Sequence, residues 1–96
     1  MVSEMIKVNE YFDGKVKSLA ANNAQGKATA GVIAPGSYEF GTDTIEIMNI
    51  VWGELKAQLP GQAWKTYQRG ESFRVEKGER FKVEATDFMA YVCEYL

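Results

Sequence analysis

Nine glycines, at 14, 26, 31, 36, 41, 53, 61, 70 and 78, and two prolines, at 35 and 60, cut this 96-residue chain into short pieces. No piece carries an apolar stripe of helical period. Apolar residues instead recur at every second position. In Ser72-Phe73-Arg74-Val75-Glu76, Phe73 and Val75 share one face. Phe81, Val83 and Ala85 do the same, as do Leu55, Ala57 and Leu59. Alternation of this kind describes strands with one wet face, which antiparallel sheets allow. Turn residues at intervals of about 8–12 indicate a sandwich or barrel. The pattern predicts strands over 11–19, 28–34, 37–41, 44–52, 54–59, 63–68, 72–76, 80–85 and 88–96. Residues 20–27 read as an exposed loop and 1–8 as an N-terminal arm or a short helical turn, leaving 9–96 as a single all-β domain.

One segment departs from simple alternation. Thr44 to Trp52 is apolar on both faces, with Ile45, Ile47 and Val51 opposite Glu46, Met48, Ile50 and Trp52. Such a strand is either central or part of an interface. A carboxylate among Met48, Ile50 and Trp52 needs a partner, or else a strand end that reaches water. The last strand raises the same question, because Phe88, Ala90 and Val92 oppose Met89, Tyr91 and Cys93.

Composition narrows the chemistry. Five Phe, five Tyr and two Trp supply a core for one domain of this length. There is no histidine, which excludes His-based proton relays, Ser–His and Cys–His pairs, and most transition-metal sites. The net charge of −2 is spread without a basic block, so nucleic acid is not an expected partner. One cysteine, Cys93, cannot close an intrachain disulfide, which favours a reducing compartment. No apolar run approaches the roughly 20 residues of a membrane span, and Glu4 interrupts any secretory signal. A cytoplasmic protein is expected.

The six residues between Glu46 and Gly53 reproduce the end of the first cupin motif, and Gly70 and Gly78 fall on glycines of the second. The cupin metal-binding histidines would lie near Phe40 and Thr42 and at Phe81, so the sequence resembles a cupin jelly roll that keeps only Glu46 of its ligands. A second resemblance runs from residue 9 to the end. Asn9-Glu10-Tyr11-Phe12-Asp13-Gly14-Lys15-Val16-Lys17-Ser18 resembles the opening signature of the pyrimidine/purine nucleoside phosphorylases. Gly31-Val32, Gly36-Ser37-Tyr38-Glu39-Phe40, Leu59-Pro60, Trp64, Tyr67 and Gly70 continue it, and Tyr91-Val92-Cys93-Glu94-Tyr95-Leu96 resembles the family's ending. Glu76 departs from it, standing where the family has proline.

That resemblance implies an all-β, cupin-like jelly roll and a homodimer. It also implies phosphorolysis of purine and pyrimidine nucleosides, with phosphate as co-substrate and no metal or organic cofactor. Tolerance of both base sizes suits stacking, because every base has a π-face. Tyr38, Phe40, Phe81 and Tyr91 are the candidates, Phe81 favoured by its place at a cupin ligand position, although an aromatic on an alternating strand is more often core. Glu46 is the candidate for the ribose, where its charge favours an oxocarbenium-like sugar; its other reading is a structural hydrogen bond. Lys15 and Lys17 of the signature are the candidates for phosphate. Cys93 reads as a small core residue. A non-enzymatic cupin that binds a small ligand or dimerises remains the rival reading.

Overall fold

The computed structural model describes residues 5–96, so residues 1–4, half of the expected arm, lie outside the described residues, while Lys7 and Val8 are in a strand rather than the arm. Ten strands form two antiparallel sheets: β1 Lys7–Tyr11, β2 Val16–Asn23, β3 Gly26–Ile33, β4 Gly36–Gly41, β5 Glu46–Trp52, β6 Glu54–Gln58, β7 Lys65–Gln68, β8 Ser72–Val75, β9 Arg80–Ala85 and β10 Met89–Tyr95. The six-stranded sheet runs β1-β2-β3-β10-β5-β8 and the four-stranded one β4-β9-β6-β7. The core between them contains Leu55, Ala57, Phe73, Val75, Phe81, Val83 and Ala85, the residues that alternation places inward. Eight of the nine expected strands match to within two residues at each end; the exception, 11–19, lies near the N-terminus.

There the expected strand 11–19 is two strands. Tyr11 ends β1, and Phe12, Asp13 and Gly14 turn with φ of 54°, 57° and 83° before β2 begins. The glycine adopts this region freely; the bulky Phe12 does not. Its ring is held against Tyr38 at 5.0 Å and Phe40 at 5.6 Å, so tertiary packing maintains a conformation that local preference disfavours. The expected loop 20–27 is also a correction. Residues Ala20–Asn23 extend β2, Asn23 pairs with Gly26, and only Ala24 and Gln25 remain for the turn. Asn23 and Gly26, with φ of 117°, are the tight-turn chemistry, and the Asn23 side chain accepts the Gln25 N–H at 2.8 Å.

Trp52 departs from alternation. β10 pairs Ala90 with Trp52 but Tyr91 with Ile50, which leaves Val51 as the extra residue of a bulge. The bulge turns the indole away from Met48 and Ile50, and Trp52 is 54% exposed. Gly53 follows with φ of 74° and sends the chain into the other sheet. At the opposite end of β5, Thr42 ties the entering loop down. Its hydroxyl donates to the Glu76 carbonyl at 2.7 Å and accepts the Glu79 N–H at 3.0 Å.

Candidate functional site

A cavity of about 100 Å³ lies between the sheets at the end where β5 begins and β10 finishes. Its position follows from register. On the inner face of the six-stranded sheet, Ser18 stands across from Gly31, and Gly31 across from Tyr91. Two residues along, Thr29 stands across from Cys93, and Cys93 across from Met48; the next row is Lys27, Tyr95 and Glu46. Gly31 is what lets Tyr91 lie down. A Cβ on Gly31 would stand 2.6 Å from the Tyr91 ring carbon and hydroxyl, so only glycine leaves room for the phenol to reach toward Ser18. Phe40 and Phe81 close the cavity from the four-stranded sheet, their centroids 5.8 Å apart.

Glu46 is half-buried in this cavity. Burial raises its carboxyl above the ordinary range, the Cys93 hydrogen bond lowers it, Asp43 raises it and Lys27 lowers it. Cys93 Sγ donates to Glu46 Oε1 at 3.6 Å. Burial, with the Glu46 charge beside it, pushes the Cys93 thiol up to about 12, so it remains a protonated donor near neutral pH. Burial likewise pushes the Tyr91 phenol up to about 12, against the hydrogen bond with Ser18. Tyr95 is raised by burial too, and its hydroxyl lies 3.1 Å from Thr29 Oγ1. The site is therefore one carboxylate among neutral hydroxyl and thiol donors, walled by aromatic rings. Such a lining offers hydrogen-bonding groups for hydroxyls, ring faces for stacking and a carboxylate that would favour positive charge developing beside it.

Of the residues named from sequence, Glu46, Phe40, Phe81 and Tyr91 converge on the cavity. Tyr38 does not line it. Its ring is buried, and its hydroxyl donates to the Ala34 carbonyl at 2.8 Å. Lys15 and Lys17 are not brought to it either. Lys15 is exposed in the β1–β2 turn, and Lys17 projects from the outer face of β2, 3.2 Å from Glu10. Tyr11, Ser18, Cys93 and Tyr95 also line the cavity, and sequence reasoning gave them no role. Alternation signals that Ser18 faces in and that Cys93 and Tyr95 share a face with Tyr91. Their approach to Glu46 depends on the pairing of β5 with β10, strands far apart in the chain.

The sequence model of a family described as pyrimidine/purine nucleoside phosphorylase matches residues 6–95. The chain belongs to that family. A pyrimidine/purine nucleoside phosphorylase of Pseudomonas putida (strain W619) is 50% identical over 92 residues, covering 95% of this chain and 98% of that one. Among solved structures, a Vibrio parahaemolyticus protein of unknown function superposes with a TM-score of 0.92 at 46% identity, covering 96% of this chain and 99% of its own. An RmlC-like cupin from Shewanella frigidimarina superposes at 0.73 with 16% identity, covering 99% and 86% respectively, which shows the cupin-like fold. Many cupins bind metal, and the residues of this family member do not fit one. The chain has no histidine, and the described residues contain no group of three His, Cys, Asp or Glu side chains able to hold an ion.

Proposed function

We propose that this protein is a pentosyltransferase, a broad-specificity nucleoside phosphorylase that works without metal. A phosphate oxygen forms the bond to the anomeric carbon as the bond from that carbon to the base nitrogen breaks. The electron pair leaves with the base, which takes a proton from phosphate or solvent, and the sugar departs as ribose 1-phosphate. Glu46 in its aromatic-walled cavity is the observation that carries this reading onto particular residues. Its carboxylate accepts hydrogen bonds from the ribose hydroxyls and favours the oxocarbenium-like sugar. The cavity is smaller than the roughly 300–1,000 Å³ of sites that enclose a whole ligand. The sugar fits inside it, and the base extends along Phe40, Phe81 and Tyr91 toward the mouth. Stacking there accepts either base size.

The acting species is a homodimer. Val8, Leu19, Ala30 and Val92 form one row across the outer face of the six-stranded sheet, and Val32, Ala90 and Trp52 form part of the next. An apolar face this continuous is unusual on a soluble monomer, and pairing with a second copy covers it. A cytoplasmic location suits the lone free thiol, Cys93. Among the described residues no helix is long and apolar enough to cross a membrane.

The deciding experiment incubates purified protein with a purine and a pyrimidine nucleoside, with and without phosphate, after exhaustive chelation. Free base is expected only with phosphate. No release from any nucleoside would leave a non-enzymatic ligand-binding cupin, and activity lost on chelation would overturn metal independence.

A further inference from the structure

Phosphorolysis brings a phosphate anion beside the anomeric carbon, and the inference here rests on that reading. The cavity lining contains no lysine or arginine. Glu46 and Asp43 already place negative charge at this end, close enough for Asp43 to act on the Glu46 carboxyl. A phosphate held there needs a cation on the inner side of the mouth. Lys17 lies on the outer face paired with Glu10. Arg74 and Arg80 are engaged by Glu76 and Glu39.

Lys27 is placed differently. It stands across from Tyr95 in the β3–β10 ladder, and Tyr95 stands across from Glu46 in the β10–β5 ladder. All three belong to the inner-face row, and Lys27 Nζ lies 4.7 Å from the centroid of the Tyr95 ring. Two strand spacings separate Lys27 from Glu46, about 10 Å between Cα atoms. That span holds a sugar against the carboxylate and an anion against the ammonium. Lys7 shares this face at the edge strand, across from Ala20, and adds positive potential to the same side.

We propose that Lys27 is the phosphate-binding cation of this site, seating inorganic phosphate beside the Tyr95 ring at the cavity mouth, two strands from Glu46. Lysine acts here as a point charge, and Tyr95, whose ring it lies over and whose hydroxyl is 3.1 Å from Thr29 Oγ1, is a neutral hydrogen-bonding group in the same row.

The test measures KM for phosphate and for nucleoside separately in the wild type, Lys27→Met and Lys27→Arg. Lys27 is exposed, so the variants are expected to fold. Lys27→Met should raise the phosphate KM about tenfold or more, the scale of a lost charge-assisted hydrogen bond, and leave the nucleoside KM within about twofold. Lys27→Arg should restore most of the difference. A phosphate KM unchanged in Lys27→Met overturns the assignment, as does an equal rise in both KM values. A rise confined to the Lys15→Gln/Lys17→Gln double variant overturns it too. Thermal melting with added inorganic phosphate separates this failure from failure of the phosphorylase reading. Wild type stabilised by phosphate, with Lys27→Met unresponsive, supports the anion site even where no base is released; equal responses refute it.

Discussion

The inner face of β2, β3, β10 and β5 carries Ser18, Thr29, Tyr91, Cys93 and Glu46, whereas the outer face of the same strands carries Leu19, Ala30, Val32, Val51 and Val92. A sheet with one wet side ordinarily keeps its inner face apolar, as Val16, Ile33, Met48, Ile50 and Met89 do on these same strands, so the polar residues form an island within an apolar face. Buried polar groups are costly unless satisfied, and here each has a neighbour: Cys93 with Glu46, Tyr95 with Thr29, Tyr91 with Ser18. Among the described residues no buried side-chain nitrogen or oxygen lacks a partner. The outer face has exposed apolar side chains, Val8, Leu19, Val32 and Val51 among them. The difference separates two tasks. On the proposed reading, the polar groups of the inner face serve a ligand and the apolar ones of the outer face serve a second subunit.

The sharpest way to break this contrast is Glu46→Gln. Turnover should fall roughly a hundredfold or more, equivalent to about 2.7 kcal/mol of transition-state stabilisation. Stability should move the other way. The folded-state carboxyl is raised above 4.5 by burial, so its contribution to stability is full below the unfolded value and is lost as pH rises through the folded value. Wild type should therefore lose melting temperature across that interval relative to Glu46→Gln, measured as paired melts over pH. A variant that melts lower at neutral pH with turnover intact would make the carboxylate structural.

Gly31→Ala probes the support beneath the polar face. The new methyl would meet Tyr91 at 2.6 Å and displace the phenol. Overpacking of this kind costs about 1–3 kcal/mol, and each kcal/mol lowers Tm by roughly 4–8 °C in a domain of this size. Turnover should drop by less than in Glu46→Gln. An unchanged melting temperature would mean that Tyr91 has another place to lie.

Leu19→Glu with Val32→Glu addresses the outer face and should have the smallest effect on the chemistry of a single chain. Sedimentation at low micromolar concentration should change from about twice 10.8 kDa to 10.8 kDa. Wild type sedimenting as a monomer would remove the assembly role from this face.

The legible parts of the molecule were those written locally. Period-two alternation placed Phe73, Val75, Phe81, Val83 and Ala85 inward, and the glycines marked most strand ends. Glu46 stood out because a carboxylate in an apolar strand demands explanation. The family likeness points to Lys15 and Lys17 as phosphate candidates, but a signature says which residues recur and not which face they occupy. Lys17 is on the outer face because Val16 and Ser18 are on the inner one.

Amino-acid order by itself determined that this chain is all-β, that it has no histidine for metal or proton chemistry, and that its strands alternate. These properties depend on neighbours two residues apart or on counting. Tertiary structure alone decided the rest. The β5–β10 register set Cys93 and Tyr95 beside Glu46, and the bulge at Val51 turned Trp52 out of the core. Packing against Tyr38 and Phe40 held Phe12 in a left-handed turn that its own backbone preference disfavours. Each of these depends on pairing between distant segments, and a shift of one residue in such a pairing sends every side chain of the strand to the opposite face.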